Sequence, residues 1–192
     1  MTMTKSYKVI LASKSPRRQE LLRGMGIDFE VMTADTDETY PDGISAHEIP
    51  EYLSRVKAEA IRAKELPENY LIITADTLVF ADGKALGKPH DREEAKAILH
   101  KLSGRTHEVV TGVTIATATQ VKTFSSFSLV HFSQLDENDI EYYIDTYKPF
   151  DKAGAYGIQE WIGYIGISGI EGSFYNVMGL PTHQLYKALK EI

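Results

Sequence analysis

The sequence predicts a mixed α/β fold with helices laid against a sheet, and three observations carry that reading. An apolar run, Tyr7-Lys8-Val9-Ile10-Leu11-Ala12, is followed at once by Ser15-Pro16, a cap and first residue for a helix. A second run, Leu71-Ile72-Ile73-Thr74-Ala75, is continuous, as in a central strand covered on both faces. Two long stretches rich in β-branched and aromatic residues, 109–119 and 121–132, read as neighbouring strands in a hairpin.

In chain order, Ser13-Lys14-Ser15-Pro16-Arg17-Arg18 is where a phosphate would sit. A helix starting at Pro16 aims free N–H groups and partial positive charge back at the strand end, and two guanidiniums add donors matched to phosphate oxygens. The alternative is a capped surface helix with two solvated arginines. Leu21, Leu22 and Met25 give this helix an apolar face, and Gly24 or Gly26 ends it. Residues 28–32 alternate like a half-buried strand. The loop 35–43 is dense in carboxylates and reads either as a solvated turn or as a metal-facing loop with Glu38 as a ligand.

A helix is expected from Pro50 to about Lys64, with Leu53, Val56, Ala60 and Ala63 buried and Lys57 at the edge of that face. Asp76 ends the central run, yet Leu78-Val79-Phe80 continues it to the turn Asp82-Gly83. Asp76 and Thr77 therefore lie in an extended or bulged segment where a charge needs a cation, which favours a functional role over a cap. Lys88-Pro89 lies in a loop, and Asp91 with Glu94 forms a capping box for a helix over 92–102. His107 and His131 lack a partner histidine at ligand spacing and read as scaffold. After a helix over 137–147, glycines crowd the chain from Gly154 to Gly179, suited to tight turns or to close approach of a ligand. Neither G-x-G-x-x-G nor a P-loop appears. A last helix starts near Pro181 and turns Leu185, Ala188 and Leu189 inward.

With 192 residues, 43% hydrophobic and 25% charged, the chain suits one domain over 1–192. It has no cysteine, so disulfides, thiolate metal sites and thiol nucleophiles are excluded. No signal-peptide core or membrane-length stretch is present, which places the protein in the cytoplasm and off the membrane. A net charge of −6 argues against nucleic acid as a partner, so any phosphate site is a local cluster of cations on an acidic body.

Five ordered motifs, Ser13-Lys14-Ser15-Pro16-Arg17-Arg18, Ala75-Asp76-Thr77, Gly87-Lys88-Pro89, Lys152-Ala153-Gly154-Ala155-Tyr156-Gly157-Ile158-Gln159 and Asn176-Val177-Met178-Gly179-Leu180-Pro181, resemble the Maf family of nucleoside triphosphate pyrophosphatases. The resemblance implies an elongated, twisted mixed sheet flanked by helices, with a cleft between two lobes. It implies a cytoplasmic enzyme, often a homodimer, that uses a divalent cation, Mg²⁺ or Mn²⁺. Such an enzyme cuts a nucleoside triphosphate between its α and β phosphates; members are regarded as house-cleaning enzymes or as affecting septum formation. The branch resembled acts on dTTP and UTP, where residues at Arg17, Thr77 and Gln159 go with substrate choice. The resemblance further implies Asp76 as the catalytic aspartate, Lys57 and Lys88 as phosphate-binding lysines, Glu38 as the loop carboxylate at the metal and Ser13 as the leading serine. It leads one to expect a smaller residue than Glu160 after the glutamine.

These residues suggest a mechanism. Arg17, Arg18, Lys57 and Lys88 hold the triphosphate while water attacks the α-phosphorus. Asp76 acts as general base, as metal ligand, or as both. The Gln159 amide can pair with the O4 and N3–H edge of thymine or uracil. Two rivals stand beside this reading. One is an inosine-triphosphate pyrophosphatase, expected to open on Thr-x-Asn followed by a lysine, where this chain has Ser13-x-Ser15-Pro16. The other is a non-catalytic nucleotide-binding protein linked to cell division.

Overall fold

A computed structural model describes residue 4, residues 6–37 and residues 39–192. The elements are β1 (Lys8–Leu11), α1 (Pro16–Gly24), β2 (Glu30–Val31), α2 (Glu48–Arg62), β3 (Tyr70–Ala81), β4 (Lys84–Leu86), α3 (Arg92–Leu102), β5 (Thr106–Ala116), β6 (Val121–Phe132), α4 (Glu137–Tyr147), α5 (Trp161–Gly166), β7 (Ile167–Glu171), α6 (Phe174–Met178) and α7 (Thr182–Leu189). The sheet is mixed, in the order β2-β1-β3-β5-β6-β7 with β4 on β3. Parallel pairing joins β1 to β2 and to β3, while β4 on β3 and β7 on β6 are antiparallel. No helix among the described residues is long and apolar enough to cross a membrane. Two compact units are distinguished, one of Met1–Asp76, Thr111–Ser126 and Gly179–Ile192, the other of Thr77–Val110 and Phe127–Met178.

In the first unit, Ile10, Ile61, Ile72 and Ala116 form a core, with Met32, Leu66 and Tyr70 packed against it. Fully burying side chains of this size is worth about 1.5–3 kcal/mol each. The expected strand over 28–32 shrinks to two paired residues, Glu30 and Val31, and the Phe29 ring lies 5.2 Å from the Arg23 guanidinium. Helix α2 starts at Glu48, two residues before Pro50, where the Glu48 carboxylate accepts from the N–H and hydroxyl of Ser45 at 3.2 and 2.6 Å.

The buried face of α2 is also not the expected one. It consists of Ile49, Pro50, Leu53, Ser54, Ala58 and Ile61, while Val56 and Ala60 are half-buried and Ala63 is exposed. Ser54 turns the helix. Its hydroxyl lies 2.8 Å from that of Thr114 on β5, and the Thr74 hydroxyl on β3 donates to the Ser54 carbonyl at 2.6 Å. Gly112 lets α2 come this close, since a Cβ there would meet the Pro50 carbonyl carbon at 2.2 Å. At helical spacing Lys57 falls between Leu53 and Ile61, within the buried stripe and not at its edge.

In the second unit, Val79, Val109 and Val130 form the core, packed by Leu86, Ala153, Ile167 and Val177. Runs 71–75 and 78–80 belong to one strand, β3, which turns into β4 through Asp82 (φ 52°) and Gly83 (φ 71°), the left-handed pair a tight hairpin takes. Asp91 caps α3 by accepting from Glu94 N–H at 2.8 Å. Strand β5 runs from Thr106 to Ala116 and stops short of 119, because Thr117 closes the turn by donating its N–H to the Gln120 carbonyl at 2.8 Å. The glycine-crowded stretch is more ordered than its composition suggests: α5, β7 and α6 lie within it. Gly163 is required there, since a Cβ would stand 1.8 Å from the Ile158 carbonyl oxygen. Asn176 on α6 donates its amide to Val109 O at 3.1 Å and to the Ser128 hydroxyl at 3.0 Å, bonds no local pattern announces.

Candidate active site

The first unit holds the start of α1 and the end of its stretch of β3. Ser15 is the N-cap, accepting from Arg18 N–H at 3.5 Å, and Pro16 is the first helical residue, with no acidic side chain in that turn. Ser13 is buried, and its hydroxyl oxygen accepts from Ser15 N–H at 3.2 Å and from Arg18 Nη1 at 3.4 Å. Arg18 also donates from Nε to the Gly179 carbonyl at 2.8 Å, which ties the turn to the residues before α7. Both Arg17 and Arg18 are half-buried.

Parallel pairing aligns this turn with β3. Leu11 is opposite Ile73, and Ala12 N–H donates to Ile73 O at 2.9 Å, so the chain leaves β1 three residues before the level of Asp76. Asp76 is 8% exposed and is ion-paired through Oδ1 with Lys57 Nζ. Burial of a carboxylate is tolerable only with such a partner. Lys57 reaches it because Ser54, one turn earlier, docks α2 onto Thr74 and Thr114. Backbone N–H groups at a helix start, guanidiniums beside them and a lysine-held carboxylate are donors and charges suited to a polyanion and its counter-cation.

The second unit holds the remaining expected residues. Thr77 is half-buried and next to Asp76 in the chain, and Lys88 is exposed. Gly154 (φ 72°) donates its N–H to Gly87 O at 3.1 Å, fixing the neighbour of Lys88, and a Cβ at Gly154 would strike Val79 at 2.9 Å. Gln159 is half-buried, and its Oε1 is buried without a hydrogen-bond donor among the described residues. Glu38 lies outside the described residues.

Sequence reasoning missed the parts that hold these side chains. Ser54, Gly112 and Thr114 carry no signal beyond their small size. Tyr143 was also unmarked, Lys152 entered only as the first residue of a motif, and Glu160 stood out as larger than expected after Gln159. Lys152 is buried and pairs with Asp151 at 2.8 Å and with Glu160 Oε1 at 3.1 Å.

The fold is of the mixed α/β class, and the turn at Ser13–Arg18 with the Lys57–Asp76 pair suits phosphate-bearing ligands. The chain belongs to the Maf family: the family described as Maf-like protein matches residues 8–192. A Porphyromonas gingivalis protein named dTTP/UTP pyrophosphatase is 56% identical over 189 residues, covering 97% of this chain and 95% of its own. A Bacteroides thetaiotaomicron protein of the same name is 54% identical over 187 residues, covering 97% and 96%. A solved structure, that of the Staphylococcus aureus Ham1 protein, overlaps 65% of this chain and 71% of its own at 16% identity and a TM-score of 0.46.

Proposed function

We propose that this chain hydrolyses dTTP and UTP to the nucleoside monophosphate and pyrophosphate. The observation that carries the reading is the ion pair between Lys57 on α2 and the buried Asp76 on β3, the strand that pairs with β1, and β1 in turn leads into the basic turn of α1. The names of relatives 54–56% identical over nearly the full length support the same reaction.

Arg17, Arg18, Lys57 and Lys88 neutralise the triphosphate, with the N–H groups of the first turn of α1 and the Ser13 hydroxyl oriented toward phosphate oxygens. Water adds to the α-phosphorus as the bond to the α–β bridging oxygen breaks, and that oxygen leaves with pyrophosphate. Catalysis then rests on positioning and on neutralising the charge that collects on the leaving oxygen. The Asp76 carboxylate either accepts the proton that the water sheds or holds the counter-cation; both roles use the same ionised group. A divalent cation, Mg²⁺ or Mn²⁺, fits this donor set, because hard cations take one or two carboxylates and complete their shell with phosphate oxygens. When bound it supplies charge neutralisation on the phosphates. We assign Glu38 as its second carboxylate. Thr77 and Gln159 set substrate choice, Gln159 by reading the O4 and N3–H edge of the base. We also assign one functional domain over 1–192, a cytoplasmic location and a homodimer, on the family resemblance.

The test is release of pyrophosphate from UTP, dTTP, CTP, ATP, GTP and ITP by the whole chain with Mg²⁺. The expected result places dTTP and UTP first. Turnover led by ITP would replace this reading with the inosine-triphosphate one, and nucleotide binding without pyrophosphate would make the protein a binder.

A further inference from the structure

We propose that Glu160 is a positioning residue that fixes which end of the Gln159 amide meets the base, and so selects a base with a ring N–H donor, as in uracil and thymine, over cytosine. The proposal rests on the base-reading role of Gln159 given above.

An acidic residue beside a nucleotide-reading glutamine is at first sight a liability. In the structure the Glu160 carboxylate is fully engaged: Oε1 accepts from Lys152 Nζ at 3.1 Å, and Oε2 accepts from the Tyr143 hydroxyl. The same Tyr143 oxygen accepts the Gly157 N–H at 2.9 Å, which ties the carboxylate to backbone two residues before Gln159. Burial, and then the hydrogen bond to Glu160, push the Tyr143 hydroxyl well above its ordinary range, so it stays a donor. The Lys152 side chain is only 8% exposed and would be costly to bury unpaired. A buried network with its members satisfied holds one geometry.

Gly157 connects this network to Gln159. A Cβ there would lie 2.8 Å from the Glu160 carboxyl carbon, 2.9 Å from its Oε2 and 2.9 Å from Gln159 Nε2. Both side chains therefore fold over one bare α-carbon, and the NH₂ end of the Gln159 amide is the end that shares this space with the carboxylate. Donors beside an anion are favourable, whereas a reversed amide would set Oε1 against it. Oε1 is left as the other end, buried and unmet. An unmet buried acceptor is unfavourable, and a donor arriving with the base offsets that cost. The N3–H of uracil or thymine is such a donor; N3 of cytosine is an acceptor and opposes it.

The experiment measures kcat and KM for UTP and CTP on the whole chain, with wild type, Gln159→Ala, Glu160→Gln and the double variant Lys152→Met/Glu160→Met. Glu160→Gln keeps the shape and removes the charge, and the double variant replaces the ion pair with apolar side chains, an exchange that folds tolerate. Both are expected to lower the UTP-over-CTP ratio of kcat/KM about tenfold. The loss should appear in KM, with kcat for UTP within about threefold of wild type. If both variants melt before assay, Tyr143→Phe takes their place with the same expectation. A wild-type ratio in these variants, beside a blurred ratio in Gln159→Ala, would overturn this inference alone. A ratio unchanged in Gln159→Ala, or a wild type indifferent to the base, would overturn the base-reading role and this inference with it. A collapse of kcat alongside the ratio would mark Glu160 as merely structural and also overturn it.

Discussion

Each unit holds a lysine–carboxylate pair, and the two differ in what they stand on. Lys57 and Asp76 join the buried stripe of a fifteen-residue helix to a twelve-residue strand, with side chains 18% and 12% exposed. Lys152 and Glu160 join two irregular turns, at 8% and 18%, and a third group, the Tyr143 hydroxyl, completes the second carboxylate oxygen. Regular elements place the first pair at the level where parallel strands release their loops, the usual edge for ligands in α/β sheets. Side-chain bonds close the second on itself, and what it fixes is the shape of the backbone carrying Gln159. Under the proposed function, similar chemistry serves the reaction in one unit and geometry in the other.

A large effect that would sharpen this contrast is expected at Lys57. Lys57→Met leaves Asp76 buried without its cation, and kcat/KM should fall about a hundredfold in a pyrophosphate-release assay. Urea unfolding should show a loss of about 3 kcal/mol, as when one partner of a buried pair is removed. A Lys57→Met enzyme with kcat as well preserved as in Lys152→Met/Glu160→Met would erase the distinction between the pairs.

A smaller effect is expected from His107 in the second unit. Burial, with the nearby charge of His131 adding to it, lowers its pKa from 6.5 to about 4. Its Nε2 lies 2.7 Å from the Tyr156 hydroxyl, and its ring stacks on Phe132 at 5.4 Å. A histidine whose folded pKa is depressed contributes stability above its unfolded pKa, and this is lost as pH falls from about 6.5 toward 4, because the unfolded chain takes up the proton first. The expected loss is about 2 kcal/mol by pH 5, read from melting curves and absent in His107→Phe. A melting curve equally steep in that variant would place the pH response elsewhere.

Much of the first unit was legible because its signals are local. The cap Ser15 and the proline after it announce the start of α1 within a few residues, and the apolar run into Asp76 announces a buried strand, although β3 continues past Asp76 to Ala81. The face of α2 was not, because the docking residue is Ser54: its hydroxyl donates to the Glu51 carbonyl at 2.8 Å and meets Thr114, sixty residues away, and a count of apolar positions passes over it. The glycine-crowded segment was opaque for the same reason. Its strand pairs with β6, and its turns and helix α6 are tied by Lys152–Glu160, by Tyr143 and by the reach of Asn176 to Val109, all contacts between residues distant in the chain or irregular in spacing. Glu160, out of pattern after Gln159 in the sequence, accepts from both the Tyr143 hydroxyl and Lys152.

Asp76→Asn, which keeps size and removes the carboxylate, tests the account most directly when UTP binding and pyrophosphate release are measured on the same sample with Mg²⁺. The account predicts that the nucleotide still binds while release falls about a thousandfold. Retention of most of the turnover would contradict it.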